Sequence, residues 1–165
     1  MARLLRSVSS SVFAESLAVG LADTEYYDEV VLCDSDISTL GRRDSILMPL
    51  EQNVIQDLSE DLNVNLIASV EHAEATVLHA QVFPIVETKA VVRLYIPGRK
   101  GVLRNISVCD TLSWQGEEGM ITRDVMVADV TDFLAKSVSE QLAPYWEPAE
   151  RYYYAGGNAN FRDAA

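Results

Sequence analysis

The densest group of side chains capable of acid-base or metal chemistry lies in "EHAEATVLH", which contains Glu71, His72, Glu74 and His79. Zinc requires several convergent ligands, and histidines on a helix meet that need when they lie one turn apart. These two histidines are seven residues apart in a strand-like segment, so a continuous strand would direct them to opposite faces. If "AEA" is instead a hairpin turn, His79 lies well up the second strand. Neither geometry assembles a site, and we expect no metal and no cofactor.

A second acidic motif, "CDSDIS", contains Asp34 and Asp36 and resembles part of a calcium loop. The glycine and the distal glutamate of such a loop are missing at the required spacing, so a capped strand end is the better interpretation. The sequence has no Gly-x-Ser-x-Gly elbow, and the glycines of "GRKG" and "YAGGNAN" indicate turns rather than phosphate cradles. We therefore expect no catalytic residues and no enzymatic activity.

The two cysteines, Cys33 in "VVLCD" and Cys109 in "ISVCD", both lie in apolar runs. Cysteine is among the most frequently buried residue types, so we expect two buried thiols in neighbouring strands. A single disulfide between them is the alternative in an oxidising compartment.

The charge balance bears on the class of partner. The chain has 13 Lys and Arg against 25 Asp and Glu, giving a formal net charge of −12. The basic residues are scattered singly, so no basic stripe is available to bind phosphates, and we expect no nucleic-acid partner. No segment approaches the length of a transmembrane helix.

The elements that must position these residues follow from apolar periodicity. Phe13, Leu17 and Leu21 recur at helical spacing and predict a helix over residues 9–22. The apolar run at 29–33 predicts a buried strand, and a second helix is predicted from about Pro49.

The second half of the chain is predicted to be mostly extended. "NVNLIASVEHAE" predicts one strand, and three further extended stretches follow, separated by a break at "VETK" and a turn at "PGRKG". A long helix is predicted over residues 122–142, ended by Ala143 and Pro144.

Together these elements predict an α+β fold. We expect a mixed, largely antiparallel sheet of about five strands, with three helices packed mainly on one face. Residues 1–144 would form this domain. Residues 145–165 would form an aromatic junction that leads into a truncated helical array.

The closing residues are unusually rich in aromatic side chains, which in a monomer must pack on something. We predict an interaction surface there, joined by an aromatic residue from the middle of the chain. The predicted residues are Trp114, Tyr145, Trp146, Tyr152, Tyr153, Tyr154 and Phe161.

The closing segment "LAPYWEPAERYYYAGGNANFRDAA" resembles the junction of an uncharacterised family of bacterial cell-envelope lipoproteins of gut Bacteroides type. "FAESLAVGLADTEYYDEVVLCDS", "VVRLYIPGRKGV" and "DTLSWQGE" agree with the same family. In that family an amino-terminal α/β domain precedes tetratricopeptide-like helices. The resemblance implies a periplasm-facing or surface protein held by a lipid anchor that this chain does not carry. No catalytic residues are known for the family, so none are transferred.

These observations lead to a functional expectation. We expect a cell-envelope module without enzymatic activity that binds a protein partner or downstream helical repeats. The alternative is a small-ligand or glycan-binding domain that stacks its ligand on Trp114 and the terminal tyrosines.

Overall fold

The computed structural model describes residues 3–5, 10–33, 48–79, 85–114 and 122–144, with backbone only at 3–5, 78 and 79. Within these residues the fold is α+β, as predicted, with three helices and an antiparallel sheet. The elements in chain order are β1 (Arg3–Leu5), α1 (Ser10–Asp23), α2 (Gln52–Leu62), β2 (Ile67–His79), β3 (Ile85–Tyr95), β4 (Arg104–Ser113) and α3 (Arg123–Leu142).

The sheet has the order β1-β2-β3-β4, and every neighbouring pair is antiparallel. Three strands are long, whereas β1 has three residues. The predicted mixed sheet of about five strands is therefore wrong. The apolar run at 29–33 forms no strand, and its Val31 and Leu32 are 43% and 46% exposed. A count of apolar runs overestimates the strands because such a run can also form the wall of a groove.

The polar residues of "VETK" do not divide this segment into two strands, because β3 continues through them. Glu87 and Lys89 point to the exposed face, while Thr88 between them is fully buried. The Thr88 hydroxyl donates a hydrogen bond to the carbonyl oxygen of Asp110 on β4, 3.2 Å away. Alternation with a period of two explains why charged residues on either side of Thr88 are tolerated inside a strand.

The core lies between the sheet and two helices, α1 and α3, on one face. In β3 the core residues alternate with exposed ones and include Val86, Ala90 and Val92. The close approach of α1 and α3 involves small residues, since a Cβ built on Gly20 would lie 3.7 Å from the Ser139 hydroxyl. Other buried members are Phe13, Leu17, Leu21, Ile106, Val108, Val130, Leu134 and Val138.

The bounds of α1 and α3 agree with the prediction to within one residue. The Thr122 hydroxyl caps α3 by accepting a hydrogen bond from the Val125 amide, and the helix ends at Ala143 as expected. Apolar residues at helical spacing therefore located both core helices correctly.

Helix α2 packs elsewhere, so two of the three described helices, α1 and α3, lie on the core face. Its buried Ile55 contacts Leu50, Tyr95 and Ile67 in a second, smaller core. Tyr95 and Ile67 are register partners, and they alternate with the strand residues that face α1 and α3. The Leu50 amide donates a hydrogen bond to the Tyr95 hydroxyl at 3.2 Å, which attaches the segment before α2 to β3. Helix α2 thus covers one end of the opposite face, and it begins at Gln52 rather than at Pro49.

Candidate functional site: a trough along the free edge of β2

The first half of β2 lies at an edge of the sheet. Strand β2 has 13 residues, whereas β1 has three and pairs with residues 75–77 only. Within the described part of the chain, no strand pairs with residues 67–73 on the side away from β3. At about 3.3 Å per residue, these seven positions span roughly 20 Å of a strand edge that no described strand covers.

An open trough of about 1320 Å³ follows this edge. One wall consists of α1 and residues 26–33, which come directly after it. The other wall consists of the carboxyl-terminal half of α2 and residues 62–66. The two walls stand on opposite faces of the sheet, because α1 covers the core face and α2 covers the other face. The edge of β2 therefore forms the floor of the trough.

The wall formed by residues 26–33 exposes apolar side chains to the trough. Tyr26 is 57% exposed, and Val31 and Leu32 in the same segment are also large exposed hydrophobic residues. The Tyr26 ring meets the ring of Tyr27 edge to face, with centroids 5.0 Å apart. Clustered apolar exposure of this kind marks interaction surfaces more often than scattered single residues do.

Tyr27 anchors this wall to the rest of the fold. Its hydroxyl donates a 2.8 Å hydrogen bond to the carbonyl oxygen of Leu142, at the end of α3. Burial raises the pKa of Tyr27 above its usual value near 10.0, and the neighbouring Tyr26 adds to the increase. The phenol consequently stays protonated and continues to donate well into the alkaline range.

The walls carry carboxylates on three separate elements. Glu15 is on α1, Asp28 and Glu29 follow it, and Glu60 is on α2, and all four are exposed. Among the described residues that line the trough there is no Lys, Arg or His. In the same part of the chain, none of the four carboxylates forms an ion pair. Among the described residues, the trough therefore combines exposed apolar side chains with carboxylates.

A fifth carboxylate, Glu71, lies at a bulge in β2. The register of β2 and β3 shifts between Val70 and His72, which places Glu71 at the bulge. Its side chain is fully buried, and its Oε2 lies 3.9 Å from Nη1 of Arg93. Because it is buried and faces a guanidinium, Glu71 does not add to the open negative rim.

The two histidines do not form a site. Strand β2 runs continuously through both, so "AEA" is not a turn, and a bulge between Val77 and His79 means that a spacing of seven does not decide the face. The register pairs His72 with Val91 and His79 with Ile85, about 20 Å apart along β3. The His72 Nε2 instead lies 3.0 Å from Oε2 of Glu74. In the described residues, no group of three or more His, Cys, Asp and Glu could hold a metal ion. Asp34 and Asp36 lie outside those residues.

The prediction of two buried thiols in neighbouring strands is wrong. Cys33 is half-buried, belongs to no strand and lines the trough, whereas Cys109 is exposed on β4. Both are free thiols. Cys109 pairs with Lys89, at a position that alternates with the core-facing Val108. An apolar neighbourhood in sequence did not distinguish the two faces of an edge strand.

Trp114 is the only predicted interaction residue that the described ranges include. The side chain is half-buried and packs against the main core, and its Nε1 donates to Oδ2 of Asp129 on α3 at 2.6 Å. It therefore joins the end of β4 to α3 instead of presenting a bare ring for stacking. The other six predicted residues lie outside the described ranges: Tyr145, Trp146, Tyr152, Tyr153, Tyr154 and Phe161.

Sequence reasoning missed the trough, although one signal could have located it. The stretch "MARLLRS" offers only a short first strand, whereas residues 67–79 form a long one. A strand that is much longer than its neighbour leaves backbone groups unpaired, and the side chains around them deserve inspection. Tyr26, Asp28 and Glu29 belong to that neighbourhood.

Comparison with known proteins gives a family but no function. The profile of a family described as a domain of unknown function (DUF8603) matches residues 5–154. No curated protein and no solved structure matches the chain. Among the described residues, no helix has both the length and the apolar character needed to cross a membrane.

Proposed function

We propose that this chain, which belongs to the DUF8603 family, is a non-enzymatic protein-interaction module that binds an extended segment of another polypeptide. The observation that carries the proposal is the first half of β2, which no described strand covers on the side away from β3 and which lies in a trough with exposed apolar side chains. A strand added to a free edge gains main-chain hydrogen bonds, and flanking walls supply contacts for its side chains.

The opposite edge of the sheet supports the choice of β2. Strand β4 also ends the sheet, but its exposed residues are mainly polar, including Asn105, Ser107, Cys109 and Thr111. Natural proteins commonly protect an edge strand with polar or charged side chains. The edge of β2 instead lies beside the exposed Tyr26 and Leu32.

The proposal extends to the bacterial cell envelope, with a protein partner as the source of the bound segment. The support for that part is the resemblance of "DTLSWQGE" and of the closing segment to envelope lipoproteins. Trp114 does not support the alternative of ligand stacking, because its ring packs on the core and its indole N–H donates a hydrogen bond to Asp129.

Amide hydrogen exchange with defined peptides tests the binding site. Three ten-residue peptides serve as probes, in which threonine alternates with lysine, glutamine or glutamate. We expect at least one peptide to slow exchange at residues 67–73 and to leave residues 104–113 of β4 unchanged. Equal protection of both edges, or protection of neither edge by any of the three peptides, would refute the proposal.

Variants of the wall provide the matched control. Tyr26→Ser and Leu32→Ser together should abolish the protection, because both side chains are exposed at the trough. Val19→Ser removes a side chain that is 62% exposed on α1 but does not line the trough, and it should retain the protection. Far-UV circular dichroism establishes that all variants remain folded.

A further inference from the structure

We infer that the segment bound along β2 is basic, with lysine or arginine side chains spaced along an extended backbone. The inference rests on the proposed function and specifies its partner. Glu15, Asp28, Glu29 and Glu60 all line the trough, and no described lining residue carries a positive charge. The whole chain adds a net charge of −12, which attracts cationic segments over a longer range.

Because the two walls both carry carboxylates, the preference for a basic segment does not depend on which face of the added strand carries the basic residues. Successive side chains of an added strand point to opposite faces of the sheet. One set would meet the wall of α1 and residues 26–33, where three of the carboxylates lie. The other set would meet the α2 wall, which carries Glu60. A basic residue at either parity therefore meets a carboxylate that forms no ion pair within the described residues.

The apolar surface of the trough fits the same kind of side chain. Lysine and arginine carry long aliphatic stems that cover apolar surface while the charged group reaches a polar rim. Val31, Leu32 and the Tyr26 ring provide such a surface next to Asp28 and Glu29. An acidic segment would meet like charges on both walls, which opposes its binding.

Alkylation of the two thiols distinguishes the possible occupants. Cys33 lines the trough and Cys109 is exposed on β4, so Cys109 serves as the internal control. The rate at which N-ethylmaleimide modifies each thiol is measured by mass spectrometry, with the lysine, glutamine and glutamate peptides described above. At equal peptide concentration, we expect the lysine peptide to reduce the alkylation rate of Cys33 at least ten times as much as the glutamate peptide does. The alkylation rate of Cys109 should not change with either peptide.

Charge variants provide the quantitative test. Glu15→Gln, Asp28→Asn, Glu29→Gln and Glu60→Gln together should weaken binding of the lysine peptide about tenfold or more at low salt, since exposed ion pairs each contribute a few-fold. The difference should shrink as salt screens the charges. The control variant removes four exposed carboxylates that do not line the trough: Glu87→Gln, Asp110→Asn, Asp124→Asn and Asp132→Asn. It should bind the lysine peptide within about twofold of the unmodified chain, because its charges lie away from the site.

Each other outcome overturns the inference in a recognisable way. Equal protection by the glutamine and lysine peptides removes the preference for basic segments but leaves a protein-interaction module. If Cys33 resists alkylation at low protein concentration in the absence of any peptide, a segment of the same chain fills the trough. Protection that grows with protein concentration indicates a second copy. If no peptide protects Cys33 and none slows exchange at residues 67–73, the proposed function itself fails.

Discussion

The contact between Trp114 and Asp129 provides a stringent test of how the sheet is joined to α3. If the indole N–H bond is structural, then Trp114→Phe and Asp129→Ala should each destabilise the fold, and their effects should not add. If Trp114 instead serves as a free stacking surface, its replacement by phenylalanine should leave stability unchanged.

The magnitude follows from the geometry. A hydrogen bond to a charged acceptor contributes about 1.5–3 kcal/mol to stability, and the 2.6 Å separation is that of a strong bond. Solvent exposure reduces this to about 1 kcal/mol. Trp114→Phe also loses part of a half-buried ring and should cost about 1.5–2 kcal/mol in total. Asp129→Asn retains an oxygen acceptor and should cost about half as much as Asp129→Ala.

Urea unfolding followed by far-UV circular dichroism measures these differences without relying on tryptophan fluorescence. We expect a coupling energy of about 1 kcal/mol in the double-mutant cycle of Trp114→Phe and Asp129→Ala. A coupling below about 0.3 kcal/mol is within normal additivity and would refute the structural role of the bond.

Three further predictions concern the core, a helix crossing and an alkaline transition. Phe13→Ala should cost about 3–5 kcal/mol because Phe13 is fully buried, whereas Val19→Ala on the exposed side of α1 should change stability by less than about 0.5 kcal/mol in urea unfolding. Gly20→Ala should stabilise α1 by up to about 1 kcal/mol, since the new Cβ would meet Ser139 at an ordinary 3.7 Å; destabilisation would show that the helices are closer than described. Tyr27→Phe should cost about 0.5–1.5 kcal/mol at neutral pH through its lost hydrogen bond. Because the folded-state pKa of Tyr27 is raised, the unfolded chain ionises first, so its contribution is complete below about pH 10 and is lost as pH rises through the folded pKa. The stability gap between the two proteins should therefore narrow above that pH, and a constant gap in a pH series would contradict the assignment.

Helical periodicity predicted the core helices well, because each of these helices packs a single apolar face against the sheet. The Phe13, Leu17, Leu21 stripe used to predict α1 is buried, and Val130, Leu134 and Val138 form the buried stripe of α3. A stripe one side chain wide at a spacing of three or four residues has few competing interpretations.

Strand number and the site were harder to predict for identifiable physical reasons. An apolar run such as residues 29–33 satisfies the pattern of a buried strand, but pairing depends on which backbone lies beside it. A bulge in β2 between Val77 and His79 shifts the alternation, so the number of residues between His72 and His79 does not determine their faces. The trough depends on the length difference between β1 and β2 and on charges from three distant segments. None of these relationships is local in sequence.

Residues 67–73 of β2, which no described strand covers on the side away from β3, also affect how the protein behaves in concentrated solution. Strand edges of this kind template edge-to-edge association between identical molecules, which is a route to aggregation. Here the carboxylates that rim the edge would face the same carboxylates on a second copy, and the mutual repulsion keeps the copies apart. Salt that screens these charges would remove this safeguard, so association between copies should increase with ionic strength while the core helices stay folded.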